Sequence, residues 1–453
     1  MQRRAFTAAA VSVLAKSVLR WPSQFPGVHP RPSPSQLTWQ RDELALFLHF
    51  GVNTFTDREW GDGREDPAIF NPAGLDARQW ARAARAAGAR ALILTAKHHD
   101  GFCLWPSRLT THAVTHRDVV REFTDACKRE GLRAGLYLSP WDRNASVYGD
   151  SPRYNDFYCD QLTELLTRYG PIAEVWFDGA NGEGPNGRRQ VYDWPRVFGL
   201  VRRLQPRAVM FSDAGPDVRW CGNERGLAGD PNWSTMDPAA VPYPGAPGDA
   251  VIAALQHGDP QGSVWRPAEV DVSIRPGWFH HPAEDERVKT VDELTEIWFT
   301  SVGRNSKLLL NVPPTRDGLL HPTDVARLAA LRAQLTTLFA EDFSLNRRVR
   351  WRVTGPLTAV AEVDLARTVS AGIVRLEENI VQGQRVARYV VHGGVDGAWQ
   401  ELTRGTTVGY RKLDRFSPAS VRSVRVTVEG VARPSFLRIG VYGAGVTAAR
   451  SPA

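Results

Sequence analysis

The sequence predicts an α/β fold, a (β/α)8-like barrel followed by a C-terminal all-β sandwich. Three observations predict it. Apolar runs of strand length recur at intervals of roughly 35–45 residues, with amphipathic helical segments between them. The alternation continues over about 300 residues, which favours a closed barrel over an open sheet. Beyond about residue 343 the helical period disappears, and short alternating segments separated by turn clusters replace it.

The strand candidates, in order, are 44–50, 89–96, 133–139, 173–178 and 207–212. They are nearly continuous apolar runs, as parallel strands covered on both faces should be. Later units are less regular, with strands near 269–274 and 307–312. Helical periodicity marks 76–87, 119–130, 154–169, 194–204, 290–301 and 323–338. Gly88, Gly131 and Gly170 fall just past three of these helices, where a left-handed cap is needed. Segments 348–353, 388–391, 421–428 and 435–442 supply the sandwich. The resulting division is 1–35, a leader and Pro-rich linker; 36–342, the catalytic barrel; and 343–453, the sandwich.

Length and composition exclude several classes. The 453 residues suit a large barrel plus a smaller module. No run reaches the roughly 18–20 apolar residues of a membrane span. Cys103, Cys127, Cys159 and Cys221 are too few for a disulfide scaffold and lack CxxC spacing. The net charge of +7 does not indicate a nucleic-acid partner, because its arginines are scattered rather than clustered. At the N-terminus, Arg3-Arg4 precede the Ala/Val-rich run 7–15, the pattern of a twin-arginine export signal. It places the protein outside the cytoplasm, periplasmic or extracellular.

In a β/α barrel, functional side chains sit at the C-terminal strand ends. The first run ends in His49-Phe50-Gly51 and the second in Lys97-His98-His99-Asp100-Gly101-Phe102. The third ends in Tyr137-Leu138-Ser139-Pro140-Trp141-Asp142, the fourth in Trp176-Phe177-Asp178-Gly179. Histidines, aromatics and a carboxylate therefore converge on one rim. Asp178 ends an apolar strand and precedes a glycine. A carboxylate on such a rigid support suits a nucleophile for an anomeric carbon. Its partner should be a carboxyl group that stays protonated near neutral pH. Glu183, Glu224 and Glu269 are candidates, and Glu224, in a Gly/Asn loop beside aromatics, leads them.

The histidines could instead be metal ligands. The first strand, however, offers a single His49 rather than H-x-H, and His280-His281 is the only later pair. Neutral histidines that read sugar hydroxyls fit better, and 15 tryptophans supply aromatic faces for the apolar sides of sugars. No cofactor is called for.

Taken together these motifs resemble glycoside hydrolase family 29, the α-L-fucosidases. The matching segments are Leu48-His49-Phe50-Gly51-Val52-Asn53-Thr54-Phe55, the run from Lys97 to Trp105, Tyr137 to Asp142, and Glu174-Val175-Trp176-Phe177-Asp178-Gly179. Arg219-Trp220-Cys221-Gly222-Asn223-Glu224, Pro267-Ala268-Glu269, Ser273-Ile274-Arg275-Pro276-Gly277-Trp278-Phe279 and Leu308 to Pro314 continue the match. The resemblance implies metal-independent release of terminal α-L-fucose with retention of configuration. It implies Asp178 as nucleophile and a pocket read by His49, His98, His99, Tyr137 and Arg219, with Trp278 as an aromatic wall. The segments around Glu224 and Trp278 look like the subgroup specific for α-1,3/1,4 linkages on branched glycans. That likeness implies Glu224 as acid/base and places Glu59 and Trp60 near the mouth.

Retention implies a double displacement with the two carboxyl groups about 5–5.5 Å apart. The partner implied is a fucosylated oligosaccharide or glycoconjugate. The competing readings are a non-catalytic fucose-binding protein on a decayed barrel and a metal-dependent hydrolase. Two segments depart from the pattern: His280-His281, where an aromatic followed by histidine is expected, and the Pro/Gly-rich stretch 230–258.

Overall fold

The computed structural model describes residues 29–435 and 437–444. The arginine pair and apolar run of the expected leader lie outside the described residues.

Eight strands form the parallel sheet: β1 (Leu44–Leu48), β2 (Ala91–Lys97), β3 (Arg133–Leu138), β4 (Glu174–Trp176), β5 (Val209–Phe211), β6 (Arg219–Trp220), and, after a short antiparallel ribbon of β7 (Thr235–Met236) and β8 (Val264–Trp265), β9 (Ala268–Ser273) and β10 (Lys307–Asn311). The order is β5-β4-β3-β2-β1-β10-β9-β6. A parallel bridge from Phe211 to Val218 brings the two edges together and nearly closes the barrel. The expected apolar runs 44–50, 89–96, 133–139, 173–178, 207–212, 269–274 and 307–312 each overlap a barrel strand, to within one residue at the ends of β2 and β9. β6 is the exception: two residues are too short to leave a hydropathy signature.

Helix α1 (Pro34–Asp42) precedes the barrel, and α2 (Val52–Thr56) is a short turn after β1. Helices α3 (Ala77–Ala87), α4 (Val119–Glu130), α5 (Ser151–Arg168) and α6 (Trp194–Leu204) cover the sheet; α7 (Asp249–His257) lies in the Pro/Gly-rich stretch, and α8 (Val291–Thr300) and α9 (Pro322–Leu338) complete the shell. Gly88 and Gly131 are the left-handed C-caps of α3 and α4. Pro34, which reads as the end of a linker, is instead the first residue of α1, capped by Ser33. This helix plugs the N-terminal end of the barrel. Its Trp39 indole N–H donates to Glu174 Oε2 at 3.0 Å, and Lys307 Nζ lies 4.7 Å from the ring centroid.

Inward-facing side chains then stack in layers. Lys307 pairs with Glu174 at 2.7 Å and with Glu269 at 3.3 Å, all three fully buried. Above them Phe47, Trp176, Phe211 and Leu309 fill the waist, with Trp176 and Phe211 stacked at 4.1 Å. The barrel is therefore sealed below its mouth. Glu269, a candidate acid/base by sequence, belongs to this sealed layer: its carboxyl accepts from the Trp176 indole at 3.0 Å and has no exposed surface.

The C-terminal sheet is antiparallel and holds β11 (Val349–Val353), β12 (Thr358–Glu378), β13 (Val386–Val395), β14 (Ala398–Gly405), β15 (Lys412–Gly430) and β16 (Leu437–Tyr442). The long strands β12 and β15 pair along most of their length, with register shifts between Asp364 and Val369 and between Ala371 and Ile373. Such irregularities bend a strand. The folded-over sheet encloses a second core around Val363, Val391 and Val426.

Candidate active site

The mouth is built from the C-terminal ends of β1 to β4 and the loops after β6 and β9. Asp178 follows β4. Tyr137, inward-facing on β3, donates its hydroxyl hydrogen to Asp178 Oδ2 at 3.0 Å, and the Ala180 N–H donates to Oδ1 at 2.7 Å. Both oxygens are therefore oriented, while 28% of the side chain stays exposed to the mouth. His99 Nε2 stands 4.0 Å from Oδ2.

The three histidines form an arc. Ring centroids are 5.6 Å apart for His49 and His98 and 4.1 Å for His98 and His99. Their hydrogen-bond partners assign the tautomers. The Asn311 amide nitrogen donates to Ser273 Oγ and to Trp278 O, so its oxygen faces His49 Nδ1 at 2.8 Å and that nitrogen carries the hydrogen. Ser139 Oγ donates to Trp141 O and accepts from His99 Nδ1 at 2.7 Å. His49 and His99 are thus left with Nε2 as an acceptor. His98 receives a long 3.5 Å contact from Asn53 Nδ2 on Nδ1, which leaves Nε2–H as a donor. Burial holds all three neutral: it pushes His49 down to about 3, and lowers His98 and His99 as well. Neutral imidazoles with mixed donor and acceptor faces suit hydroxyl recognition. Among the described residues no group of three or more His, Cys, Asp or Glu side chains could hold a metal ion.

Aromatic side chains wall this arc. Trp278 lies 5.0 Å from His49, and Trp141 lies 4.9 Å from His99. Trp60, 60% exposed, stands edge-on to both His99 and Trp141 at about the same distance, 6.0 and 5.9 Å.

Glu224 enters from the loop after β6. Left-handed glycines flank it, Gly222 and Gly226, and a Cβ at Gly226 would lie 2.8 Å from the Ile297 side chain. Asn223 fixes the turn by donating to Leu227 O at 2.8 Å. The Trp278 indole N–H donates to Glu224 Oε2 at 3.3 Å. Partial desolvation raises the Glu224 pKa above the ordinary value; the Trp278 donor opposes it, and the negative charges of Asp178 and Glu59 add to it. Arg225 is not among the charges that shift Glu224.

The structure corrects one expectation and sharpens another. Arg219 does not reach the pocket. Alternation along β6 turns Trp220 inward and Arg219 outward, where it is completely buried. Its guanidinium is spent on Leu255 O at 2.8 Å, Asn232 Oδ1 at 2.9 Å and Arg266 O. Arg219 thus organises the Pro/Gly-rich stretch 230–258 instead of reading substrate. Glu59 lies near the mouth as expected, but its carboxylate is a backbone clamp. It accepts from Trp278 N at 2.9 Å and Phe279 N at 3.1 Å, and contacts His281 Nε2 at 2.7 Å.

Several groups at the mouth were not singled out from sequence. Asp213 follows β5, accepts from Gly245 N at 3.0 Å, and is pushed up to about 6 by burial and by Asp178. The strand-end rule applied once more would have found it. Asp271 faces inward from the middle of β9 and accepts from the Trp220 indole at 2.7 Å; burial holds its pKa well above the carboxylate range, and Glu224 adds to this. Asn311 was hidden inside an apolar strand.

A parallel barrel whose mouth gathers carboxyl groups, neutral histidines and aromatic walls defines a carbohydrate-active hydrolase. The α-L-fucosidase family model matches residues 49–337. Alpha-L-fucosidase 1 of Arabidopsis thaliana is 41% identical, over 91% of this chain and 87% of its own. The crystal structure of SpGH29 superposes with a TM-score of 0.86 at 39% identity, covering 92% of this chain and 98% of that one. A Ruminococcus gnavus glycoside hydrolase 29 fucosidase in complex with fucose superposes with a TM-score of 0.82 at 30% identity, over 94% and 98% of the two chains. The chain belongs to glycoside hydrolase family 29, the α-L-fucosidases, and is a hydrolase of that family.

Proposed function

We propose that this chain is an exo-acting, retaining α-L-fucosidase that releases terminal L-fucose from α-1,3/1,4-linked branched glycans. The observation that carries the reading is the doubly held Asp178 carboxylate beside a neutral histidine arc, with a second carboxyl of raised pKa, Glu224, on the Trp278 indole. Asp178 attacks the anomeric carbon while Glu224 protonates the departing glycosidic oxygen. A fucosyl-enzyme forms through Asp178, and Glu224 then takes a proton from the water that releases fucose. His49, His98, His99 and Tyr137 read the sugar hydroxyls, and Trp278 and Trp60 cover its apolar face.

Two measurements test it. Proton NMR of aryl α-L-fucoside hydrolysis should show the α-anomer of fucose released first; the β-anomer would replace double by single displacement. Asp178→Asn should be nearly inactive on every fucoside, whatever its leaving group. Full activity in that variant moves the nucleophile elsewhere. We further propose export through the twin-arginine leader, tested by whether Arg3→Lys/Arg4→Lys retains the protein in the cytoplasm.

A further inference from the structure

Two carboxylates from the end of α2 grip one histidine. Asp57, the left-handed C-cap of α2, has Oδ1 2.7 Å from His281 Nδ1. Glu59 Oε1 lies 2.7 Å from His281 Nε2. A neutral imidazole has one N–H and one lone pair, so it can serve only one carboxylate and turns its lone pair on the other. Only the imidazolium satisfies both, through two charge-assisted bonds.

The other charged groups near this grip come from each neighbouring element. Arg58, between the two carboxylates in sequence, turns away to Asp62. Glu284, from the turn after His281, accepts from Gly277 N at 3.1 Å. Arg287 sits by Glu284, and Asp285 is taken by Arg275 and His280. His281 is therefore the cation between Asp57 and Glu59. Burial works against its charge, and the two carboxylates outweigh burial, leaving its pKa above that of an ordinary histidine.

Glu59 passes the grip on. The same carboxylate receives the backbone N–H groups of Trp278 and Phe279, and the Trp278 indole donates to Glu224. Gly277 leaves no slack at the start of this loop: a Cβ there would lie 2.4 Å from Glu59 Oε1 and 3.1 Å from His281 Cδ2.

We propose that His281 is a positioning residue for the acid/base: as an imidazolium it ties Asp57 to Glu59 and so holds the Trp278 indole against Glu224. Loss of its proton sets a lone pair against a carboxylate, loosens Glu59 and withdraws the indole donor. The proposal rests on the reading of Glu224 as acid/base.

The test compares His281→Gln and His281→Arg in the full chain, with a nitrophenyl α-L-fucoside and a fucosylated oligosaccharide as substrates. In kcat/KM, which reports the first chemical step, acid assistance worth roughly 10²–10⁴-fold matters for the sugar leaving group and little for nitrophenolate. His281→Gln should lose about tenfold on the oligosaccharide and stay within about threefold on the aryl fucoside, as partial loss of that assistance. The alkaline limb of the oligosaccharide profile should also move to higher pH, because a donor favouring the Glu224 carboxylate is lost. His281→Arg, with two donors in one fork, should restore both rate and limb. Equal losses on both substrates with an unmoved limb, or no loss on either, overturn the proposal. If His281→Gln does not fold, Asp57→Asn, which weakens the grip from its exposed side, is judged by the same ratio. Glu224→Ala on the same substrate pair separates the two ideas: without a leaving-group effect there, the acid/base reading itself fails.

Discussion

Trp278 is held by one carboxylate and holds another: its backbone N–H donates to Glu59 Oε2 at 2.9 Å, and its indole N–H donates to Glu224 Oε2 at 3.3 Å. The aromatic wall and the proposed acid/base thus meet at a single residue. The loop carboxylate gains an orientation without a cation beside it, which would depress the pKa that proton donation needs.

Glu224→Ala should separate substrates by leaving group. Nitrophenolate departs without help, whereas a sugar alkoxide needs an acid worth roughly 10²–10⁴-fold. Glycan hydrolysis should collapse while nitrophenyl fucoside cleavage persists, limited by breakdown of the fucosyl-enzyme. Azide, which needs no general base, should accelerate turnover and yield a β-fucosyl azide. Normal glycan hydrolysis by this variant would remove Glu224 from the reaction.

The proposed linkage preference has a test of its own. Branched α-1,3/1,4 fucosides should turn over faster than linear α-1,2 fucosides, because contacts to the branch sugar help to position the reacting bond. Comparing kcat/KM across a panel of fucosylated oligosaccharides decides it. Equal or better cleavage of linear substrates would leave the family standing and sink the linkage preference.

Arg219→Met should act on stability and spare binding. Arg219 bonds Leu255 O in the stretch 230–258 and Arg266 O beyond it, and each buried carbonyl left unpaired costs about 1–3 kcal/mol. Thermal melts should show the loss, while KM for an aryl fucoside stays near wild type. A selective rise in KM in a protein of unchanged stability would return Arg219 to the pocket.

Buried neutral histidines should make the protein acid-sensitive. His49 stands at about 3 in the folded chain. Once unfolded it titrates at about 6.5, so between these values the unfolded state binds more protons. Stability should fall as pH drops through this window, by about 1.4 kcal/mol per pH unit for one such group. His49→Gln lacks this term, so denaturant melts at pH 6 and pH 5 should show the wild type losing ground to the variant as pH falls. A constant difference between the two proteins would argue against a buried neutral His49.

The barrel was legible because its chemistry is local. A parallel strand covered on both faces is apolar at most positions, so runs such as Leu44–Leu48 and Ala91–Lys97 stand out unaided. The glycines after α3 and α4 marked their ends because only a residue without Cβ takes those angles cheaply. The rule that strand ends carry function placed His49, His98, His99, Tyr137 and Asp178 on one rim, and the structure brings all five together.

What the sequence determined by itself, then, was the order of strands and helices and the strand ends that carry the pocket. The tertiary structure alone decided the rest, because it depended on parity and on long-range contacts. Whether Arg219 or Trp220 faces the mouth turns on the register of a two-residue strand, and a one-residue difference exchanges pocket for exterior. Whether Glu224 or Glu269 stands at the mouth depends on depth along the barrel axis: Glu269 is sealed in with Lys307, 38 positions away in sequence. Glu59 meets the Trp278 and Phe279 backbone across a separation of 219–220 residues. Such contacts leave no local trace in hydropathy or spacing, since backbone N–H groups are common to nearly every residue and only the folded chain selects which of them a carboxylate will hold.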